Sequence, residues 1–133
     1  MPLKVELKPG ERVIIGETVI TNGDARAQFL IEGEAPILRE KDILTAETAD
    51  SPAKRIYLTV QMMYLSRDIS ELQKTYFSLI GDFMKAVPSS FQYIEAINHQ
   101  ILTGNMYKAL RETKSLLAYE EELLNHASRD PSV

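Results

Sequence analysis

The chain of 133 residues contains no cysteine and two histidines, His99 and His126. The absence of cysteine excludes disulfides, thiolate zinc sites and cysteine nucleophiles. Neither histidine belongs to an H-E-x-x-H pattern, and the sequence has no glycine-rich phosphate loop and no G-x-S-x-G elbow. We therefore expect no enzyme, cofactor, metal site or small-molecule substrate. A pocket in which paired carboxylates face His99 would reopen the enzymatic alternative.

Long hydrophobic runs are also missing, because no stretch of eighteen apolar residues occurs anywhere in the sequence. The amino terminus lacks the apolar core of a secretory signal. We therefore expect a cytoplasmic protein that makes no contact with membranes. Apolar residues make up 44% and charged residues 26% of the chain, which is ordinary for a folded domain of this length.

An excess of basic residues is missing as well, since the formal net charge is −4. Residues 1–50 hold six Lys/Arg against ten Asp/Glu, whereas residues 51–133 hold nine of each. The overall electrostatic field therefore does not favour nucleic acid, and any such binding needs a local basic patch.

The first part of the chain carries strand signals. Residues 3–8 alternate apolar and polar side chains, as a strand with one solvated face does. Asn22-Gly23 is a favoured hairpin signal. Short β-branched or apolar runs bounded by glycines or other turn residues predict further strands at residues 13–15, 18–21, 29–31 and 36–39. We predict a small antiparallel sheet of four or five strands within residues 1–50.

The second part, residues 51–133, predicts about four helices and so an α+β fold. Asp50-Ser51-Pro52 is a helix start signal. Pro88 and Gly104-Asn105 separate the later helices, and residues 128–133 predict a frayed tail. The run Glu120–Glu122 is typical of a solvated helix face.

The first predicted helix is apolar on nearly every face, which favours burial or self-association. Its methionines and tyrosines are side chains that adapt to a partner surface, although packing in the core is the simpler interpretation. We expect a homo-oligomer, a dimer or larger, and the predicted partner surface comprises Tyr57, Met62, Met63 and Tyr64.

Several long segments resemble one family. Residues 1–12, 14–16, 35–44 and 53–58 are similar to the flagellar biosynthesis repressor FlbT family, and the resemblance extends over essentially the whole chain. It implies a cytoplasmic post-transcriptional regulator that acts at the 5′ untranslated leader of flagellin mRNA. Such a regulator restrains translation and favours mRNA decay, although the resemblance leaves the sign of regulation open. It also implies a second flagellar regulator, FlaF, as antagonist or partner.

The β region is also similar to the carbon storage regulator CsrA, through Gly10-Glu11, Ile15-Gly16, Ala35-Pro36 and Arg39-Glu40. That resemblance implies a five-stranded homodimer that reads single-stranded leader loops. Carried over by position, its key arginine falls on Arg39 and its hydrophobic contact on Val5. The first strand departs from the pattern, because Glu6 and Leu7 stand where that family has basic and threonine side chains.

Together these features predict an RNA-binding surface on the first and last strands. The alternative is a protein-interaction adaptor that binds FlaF or other flagellar factors without touching RNA, and the acidic first half favours it. A third interpretation treats the cations as ordinary surface charges. The predicted RNA surface comprises Lys4, Val5, Lys8, Leu38, Arg39 and Lys41, extended by Lys54 and Arg55.

Overall fold

Within residues 2–129 five short strands precede four helices, which confirms the predicted α+β class. The structure is a computed structural model that describes residues 2–129. Short 3₁₀ turns lie at Glu40–Asp42 and Pro88–Ser90. The elements are β1 (Leu3–Leu7), β2 (Arg12–Ile15), β3 (Thr18–Thr21), β4 (Ala27–Ile31), β5 (Ile37–Arg39), α1 (Pro52–Leu65), α2 (Ser70–Ala86), α3 (Phe91–Leu102) and α4 (Met106–Arg129).

The five strands form two antiparallel sheets rather than the one that we expected. In the first sheet β1 pairs with β4, so that Val5 lies opposite Phe29. In the second, β2 lies between β3 and β5, and Ile14 lies opposite both Val19 and Leu38. The division arises because β4 pairs with the first strand and not with β3, which precedes it in the chain.

The core of the β region is small and follows the alternation of its strands. Val5, Leu7 and Val13 are buried together. Alternate residues of β1 point inward, so that Val5 and Leu7 leave Lys4 and Glu6 exposed on the opposite face. Three partly buried side chains pack against this cluster, namely Ile15, Ile31 and Ile37.

Asn22-Gly23 does not form the hairpin turn that its sequence suggests. The β2–β3 hairpin turns at Gly16-Glu17, where Gly16 has a φ of +60° that favours glycine. Asn22 follows β3, and its side chain amide hydrogen-bonds to the backbone of other segments instead of stabilising a hairpin turn.

The helical region is organised around α1, which packs against both α2 and α4. Helix α3 packs against α4. The Tyr76 hydroxyl on α2 donates to Asn98 Oδ1 on α3 over 2.6 Å. The core between the helices is mainly apolar and includes Ile56, Val60, Ile80, Phe83, Ile94, Ile97, Leu110 and Leu116.

The chain divides into two compact units between Ile43 and Leu44, whereas the sequence placed the boundary after Asp50. A buried side chain explains the difference. Gln61 on α1 accepts a hydrogen bond from the Leu44 backbone N–H over 2.8 Å and donates one to the Leu44 carbonyl over 2.9 Å. The segment 44–50 therefore belongs to the helical unit, and we call residues up to Ile43 the β unit.

The prediction that Glu120 lies on a solvated helix face is wrong. Its Oε1 accepts a hydrogen bond from the Ser51 hydroxyl over 2.5 Å, and its Oε2 accepts one from the Ala53 backbone N–H over 2.9 Å. Glu120 therefore binds the amino-terminal end of α1 from α4. The neighbouring Glu121 and Glu122 are exposed, as a solvated face requires.

Candidate nucleic-acid interface

The first and last strands of the β unit approach each other at Lys4 and Arg39. The Arg39 guanidinium Nη2 donates a hydrogen bond of 3.4 Å to the backbone carbonyl of Lys4, and both residues are exposed. Within the described part of the chain β1 has β4 as its one sheet partner, so the Arg39 side chain contacts β1 from a strand of the other sheet. A cation, a lysine and exposed backbone groups thus lie together at one edge.

The charge partners at this edge leave Arg39 accessible. The Arg12 Nε lies 3.3 Å from Glu40 Oε1, so the carboxylate that follows Arg39 in sequence forms an ion pair with another arginine. Among residues 2–129, Arg39 forms no ion pair with a carboxylate. Because a guanidinium carries five N–H donors, most of those of Arg39 can bind a ligand.

Two further lysines of the β unit are close in sequence to β1 and β5. Lys8 is exposed just after β1, and its backbone N–H donates to Glu11 Oε1 over 2.8 Å. Lys41 is exposed in the 3₁₀ turn after β5. Glu6 shares the exposed face of β1 with Lys4, so the surface combines both signs of charge.

Two predicted RNA contacts are wrong, because Val5 and Leu38 are buried with exposures of 0% and 1%. Val5 points into the core beside Leu7 and Val13, as the alternation of β1 requires. Leu38 precedes Arg39 in β5, and neighbouring residues of a strand point to opposite faces. Both side chains support the strands that carry Lys4 and Arg39 and offer no contact area of their own.

Lys54 and Arg55 belong to the helical unit. The Lys54 ammonium lies 3.1 Å from Asp50 Oδ1, and this hydrogen bond and charge lower the pKa of the Asp50 carboxyl. Arg55 on α1 and Asp82 on α2 both line a groove of about 390 Å³ between α1, α2 and α4. The extension of the RNA surface onto these two cations stays a prediction.

The predicted partner surface on α1 requires correction as well. Tyr57 and Met63 are core residues with exposures of 2% and 1%, so they cannot contact a partner. Met62 is 46% exposed. The half-buried Tyr64 packs its ring against Tyr107 on α4, with centroids 5.5 Å apart.

Sequence reasoning missed two members of the exposed face around Met62. Leu58 and Leu65 lie on the same side of α1 and are partly exposed. The spacing of four and three residues around Met62 was the signal that could have identified them. The exposed stripe of α1 is therefore Leu58, Met62 and Leu65.

His99 lies in an open depression on the helical unit, together with Glu95 and Glu112. His99 and Glu95 are exposed, and five of the six lining residues carry polar side chains. The depression therefore lacks the enclosing apolar wall that is typical of a catalytic pocket. Within residues 2–129 no cluster of three or more His, Asp or Glu side chains is placed to hold a metal ion. None of the helices in this range is long and apolar enough to span a bilayer.

Comparison with known proteins gives a consistent result. Residues 3–124 match the family model described as flagellar protein FlbT. The chain is 62% identical over 125 residues to the probable flagellum biosynthesis repressor protein FlbT of Rhodopseudomonas palustris strain TIE-1, covering 94% of this chain and 99% of that protein. It is 39% identical over 131 residues to the corresponding protein of Caulobacter sp. strain K31, covering 96% and 100%.

A third relative is named without the qualifier "probable". The flagellum biosynthesis repressor protein FlbT of Caulobacter vibrioides strain ATCC 19089 is 37% identical over 131 residues, covering 96% of this chain and 93% of that protein. No solved structure matches the chain significantly.

Proposed function

Because the chain belongs to the FlbT family of flagellar proteins, we propose that it is a cytoplasmic post-transcriptional regulator that binds the 5′ leader of flagellin mRNA. Its relatives are named repressors of flagellum biosynthesis. Binding at the leader changes the access of ribosomes or nucleases to the message and so represses translation or promotes mRNA decay. The protein performs no chemistry of its own in this process.

The observation that carries the proposal is the exposed Arg39 guanidinium, held at the edge of β1 by the Lys4 carbonyl. Proteins recognise RNA sequence mainly in unpaired loops, through stacking and hydrogen bonds to base edges. A planar guanidinium with one N–H bound to the protein keeps further donors for base edges or phosphate oxygens. Three exposed lysines add phosphate contacts, namely Lys4 on β1, Lys8 just after β1 and Lys41 in the turn after β5.

A homo-oligomer would strengthen binding at such a small surface. Each β unit contributes few cations, so the affinity of a single copy for RNA is modest. Two copies joined in one assembly duplicate the surface and let a second leader site bind at raised effective concentration.

A gel-shift assay with the flagellin leader tests direct contact. We expect Arg39→Ala to weaken binding about tenfold, which corresponds to about 1.4 kcal/mol. Arg67→Ala is the matched control, because Arg67 is an exposed arginine in the helical unit. Equal affinities of the two variants, or no specific binding of the wild-type chain even with FlaF present, would contradict direct RNA recognition.

The adaptor function is the second candidate, and the exposed stripe of α1 favours it. Met62 is 46% exposed although it is apolar, which suits a protein partner such as FlaF. If the protein acts as an adaptor, Met62→Ser weakens capture of FlaF whereas Arg39→Ala does not. The same two variants therefore separate the two functions.

A further inference from the structure

Asn22 lies at the centre of the hydrogen bonds that hold the loops of the β unit. Its Nδ2 donates to the backbone carbonyls of Leu7 over 3.1 Å, Lys8 over 2.9 Å and Ala25 over 2.9 Å. Two N–H groups thus serve three acceptors. The side chain joins the end of β1 to the loop that leads into β4.

The backbone on either side of Asn22 continues this network. The Asn22 N–H donates to the Glu11 carbonyl over 2.9 Å, and the Gly10 N–H donates to the Gly23 carbonyl over 3.0 Å. The Gly23 N–H donates to Asn22 Oδ1 over 2.9 Å. The amide group of Asn22 is therefore engaged at both its oxygen and its nitrogen.

The pair Asn22-Gly23 is chemically unusual among the asparagines of the chain. The other three precede histidine or methionine, at Asn98, Asn105 and Asn125. Glycine has no Cβ to hinder its own backbone nitrogen, and that nitrogen can attack the carbonyl carbon of a preceding asparagine side chain. Conformational freedom is also greatest at glycine, so an unfolded Asn-Gly pair reaches the reactive geometry easily.

We propose that Asn22 is a site of spontaneous deamidation, which the folded β unit suppresses and whose product the β unit cannot accommodate. In the reaction the Gly23 nitrogen loses its proton and bonds to Asn22 Cγ. The Cγ–Nδ2 bond breaks, and ammonia leaves with that proton. Water then opens the five-membered ring to give aspartate or isoaspartate.

The fold suppresses the first step because the reacting groups are already hydrogen-bonded. The departing Nδ2 must give up its bonds to the carbonyls of Leu7, Lys8 and Ala25. The attacking Gly23 nitrogen must release the proton that it shares with Oδ1. The reaction therefore proceeds from molecules whose β unit has opened, and its rate follows the open fraction.

The product cannot rebuild the network. A carboxylate accepts hydrogen bonds and donates none, so it would face three carbonyl oxygens across the space that Nδ2 occupies. An isoaspartate would in addition lengthen the backbone at this position. Each conversion therefore leaves a molecule whose β unit is permanently destabilised.

The test follows deamidation of the full chain by peptide mass spectrometry at mildly alkaline pH. We expect Asn22 to react at least about tenfold more slowly in the native protein than in concentrated urea, because only open molecules react. Leu7→Ala, which removes a buried side chain of the β core, should raise the native rate. Equal rates in native and unfolded protein would overturn protection by the fold.

Gly23→Ala is the matched control for the chemistry. A Cβ at Gly23 would meet no atom within 4 Å, and Gly23 is not among the glycines with positive φ, so the variant keeps the native backbone. We expect it to deamidate more slowly than wild type in urea, because the added methyl group hinders the attacking nitrogen. Similar rates would show that the ring-forming step is not responsible.

Asn22→Asp tests the consequence of the conversion. We expect faster amide hydrogen exchange throughout the β unit, with exchange in α1–α4 unchanged. Unaltered protection of the β strands would show that the product is tolerated. If the variant does not accumulate, wild-type protein aged in solution and separated by ion exchange allows the same comparison.

Discussion

At the scale of single residues, Gln61 shows how one buried amide can set a unit boundary. It is 4% exposed and bonds both the N–H and the carbonyl of Leu44. Removal of its side chain leaves two backbone groups without their partner, and each such loss costs about 1–3 kcal/mol where the group stays buried. We expect Gln61→Ala to lower the free energy of unfolding by about 2 kcal/mol.

Urea denaturation checks this expectation, with Gln92→Ala as the control because Gln92 is exposed on α3. Hydrogen exchange at the Leu44 amide should become faster in Gln61→Ala. An unchanged exchange rate at that amide would contradict the assigned role.

A second prediction concerns Tyr76 and the dependence of the free energy of unfolding on pH. Its side chain is fully buried, and desolvation raises the pKa of its hydroxyl above the ordinary value of about 10. Above that ordinary value the unfolded chain releases the proton while the folded chain keeps it. The contribution of Tyr76 to the free energy of unfolding is therefore fully present below about pH 10. It falls as the pH rises beyond that value, by at most about 1.4 kcal/mol per pH unit.

Tyr76→Phe removes both this titration and the hydrogen bond to Asn98. We expect the variant to be less stable than wild type at neutral pH and the difference to shrink between about pH 10 and 11. Chemical denaturation at several pH values measures it. A difference that stays constant across this range would show that the hydroxyl does not titrate as inferred.

At the scale of elements, α4 holds the start of α1 through Glu120. The carboxylate satisfies the Ala53 N–H, one of the first-turn groups that lack a partner within the helix, and it also binds the Ser51 hydroxyl. We expect Glu120→Ala to destabilise the chain by about 2 kcal/mol, because Ala53 is fully buried and its N–H would lose its acceptor.

Glu121→Ala is the control for this prediction, since Glu121 is the next residue of the same helix and is exposed. It should change stability by less than about 0.5 kcal/mol. Thermal unfolding of both variants gives the comparison, and equal melting temperatures would refute the tether between α4 and α1.

The elements themselves were predictable, because each depends on neighbours in sequence. Alternation predicted β1, and the Asp50-Ser51-Pro52 signal predicted the start of α1 at Pro52. Strand pairing was not predictable in the same way, since β4 pairs with β1 across nineteen intervening residues that include β2 and β3. The prediction of a hairpin turn at Asn22-Gly23 was wrong for a related reason, because the Asn22 side chain hydrogen-bonds to backbone that is distant in sequence.

The candidate site was predictable in part. The resemblance placed Arg39 near the first strand, and the structure brings Arg39 to Lys4. The burial of Val5 and Leu38 could have been predicted from strand alternation. They were assigned as RNA contacts only by their position relative to another family, and that assignment took no account of the alternation. The exposed stripe of α1 could have been identified by spacing alone, whereas the burial of Tyr57 and Met63 depends on how α1 packs among the other helices.

At the scale of the whole molecule, the net charge of −4 limits the electrostatic contribution to the proposed RNA binding. If four cations of the β unit each neutralise one phosphate, log K should fall with log salt concentration with a slope of about −2.8 or less steep. Arg39→Ala should reduce the steepness by about 0.7. Filter binding at several salt concentrations measures both slopes. A much steeper slope would mean that cations of the helical unit also contact RNA.

The hydrogen bonds between Leu44 and Gln61 decide where the chain can be cut for study of its parts. A fragment that starts at Leu44 keeps both hydrogen bonds, because it contains the Leu44 backbone as well as the Gln61 side chain. A fragment that starts at Ser51, the first residue of the helix start signal, lacks Leu44, so the buried Gln61 amide loses its hydrogen-bond partner. It also lacks the buried Ala49, so the apolar surface that Ala49 covers becomes exposed. Poor solubility of such a fragment would reflect the choice of cleavage point and would carry no information about whether the helices fold alone.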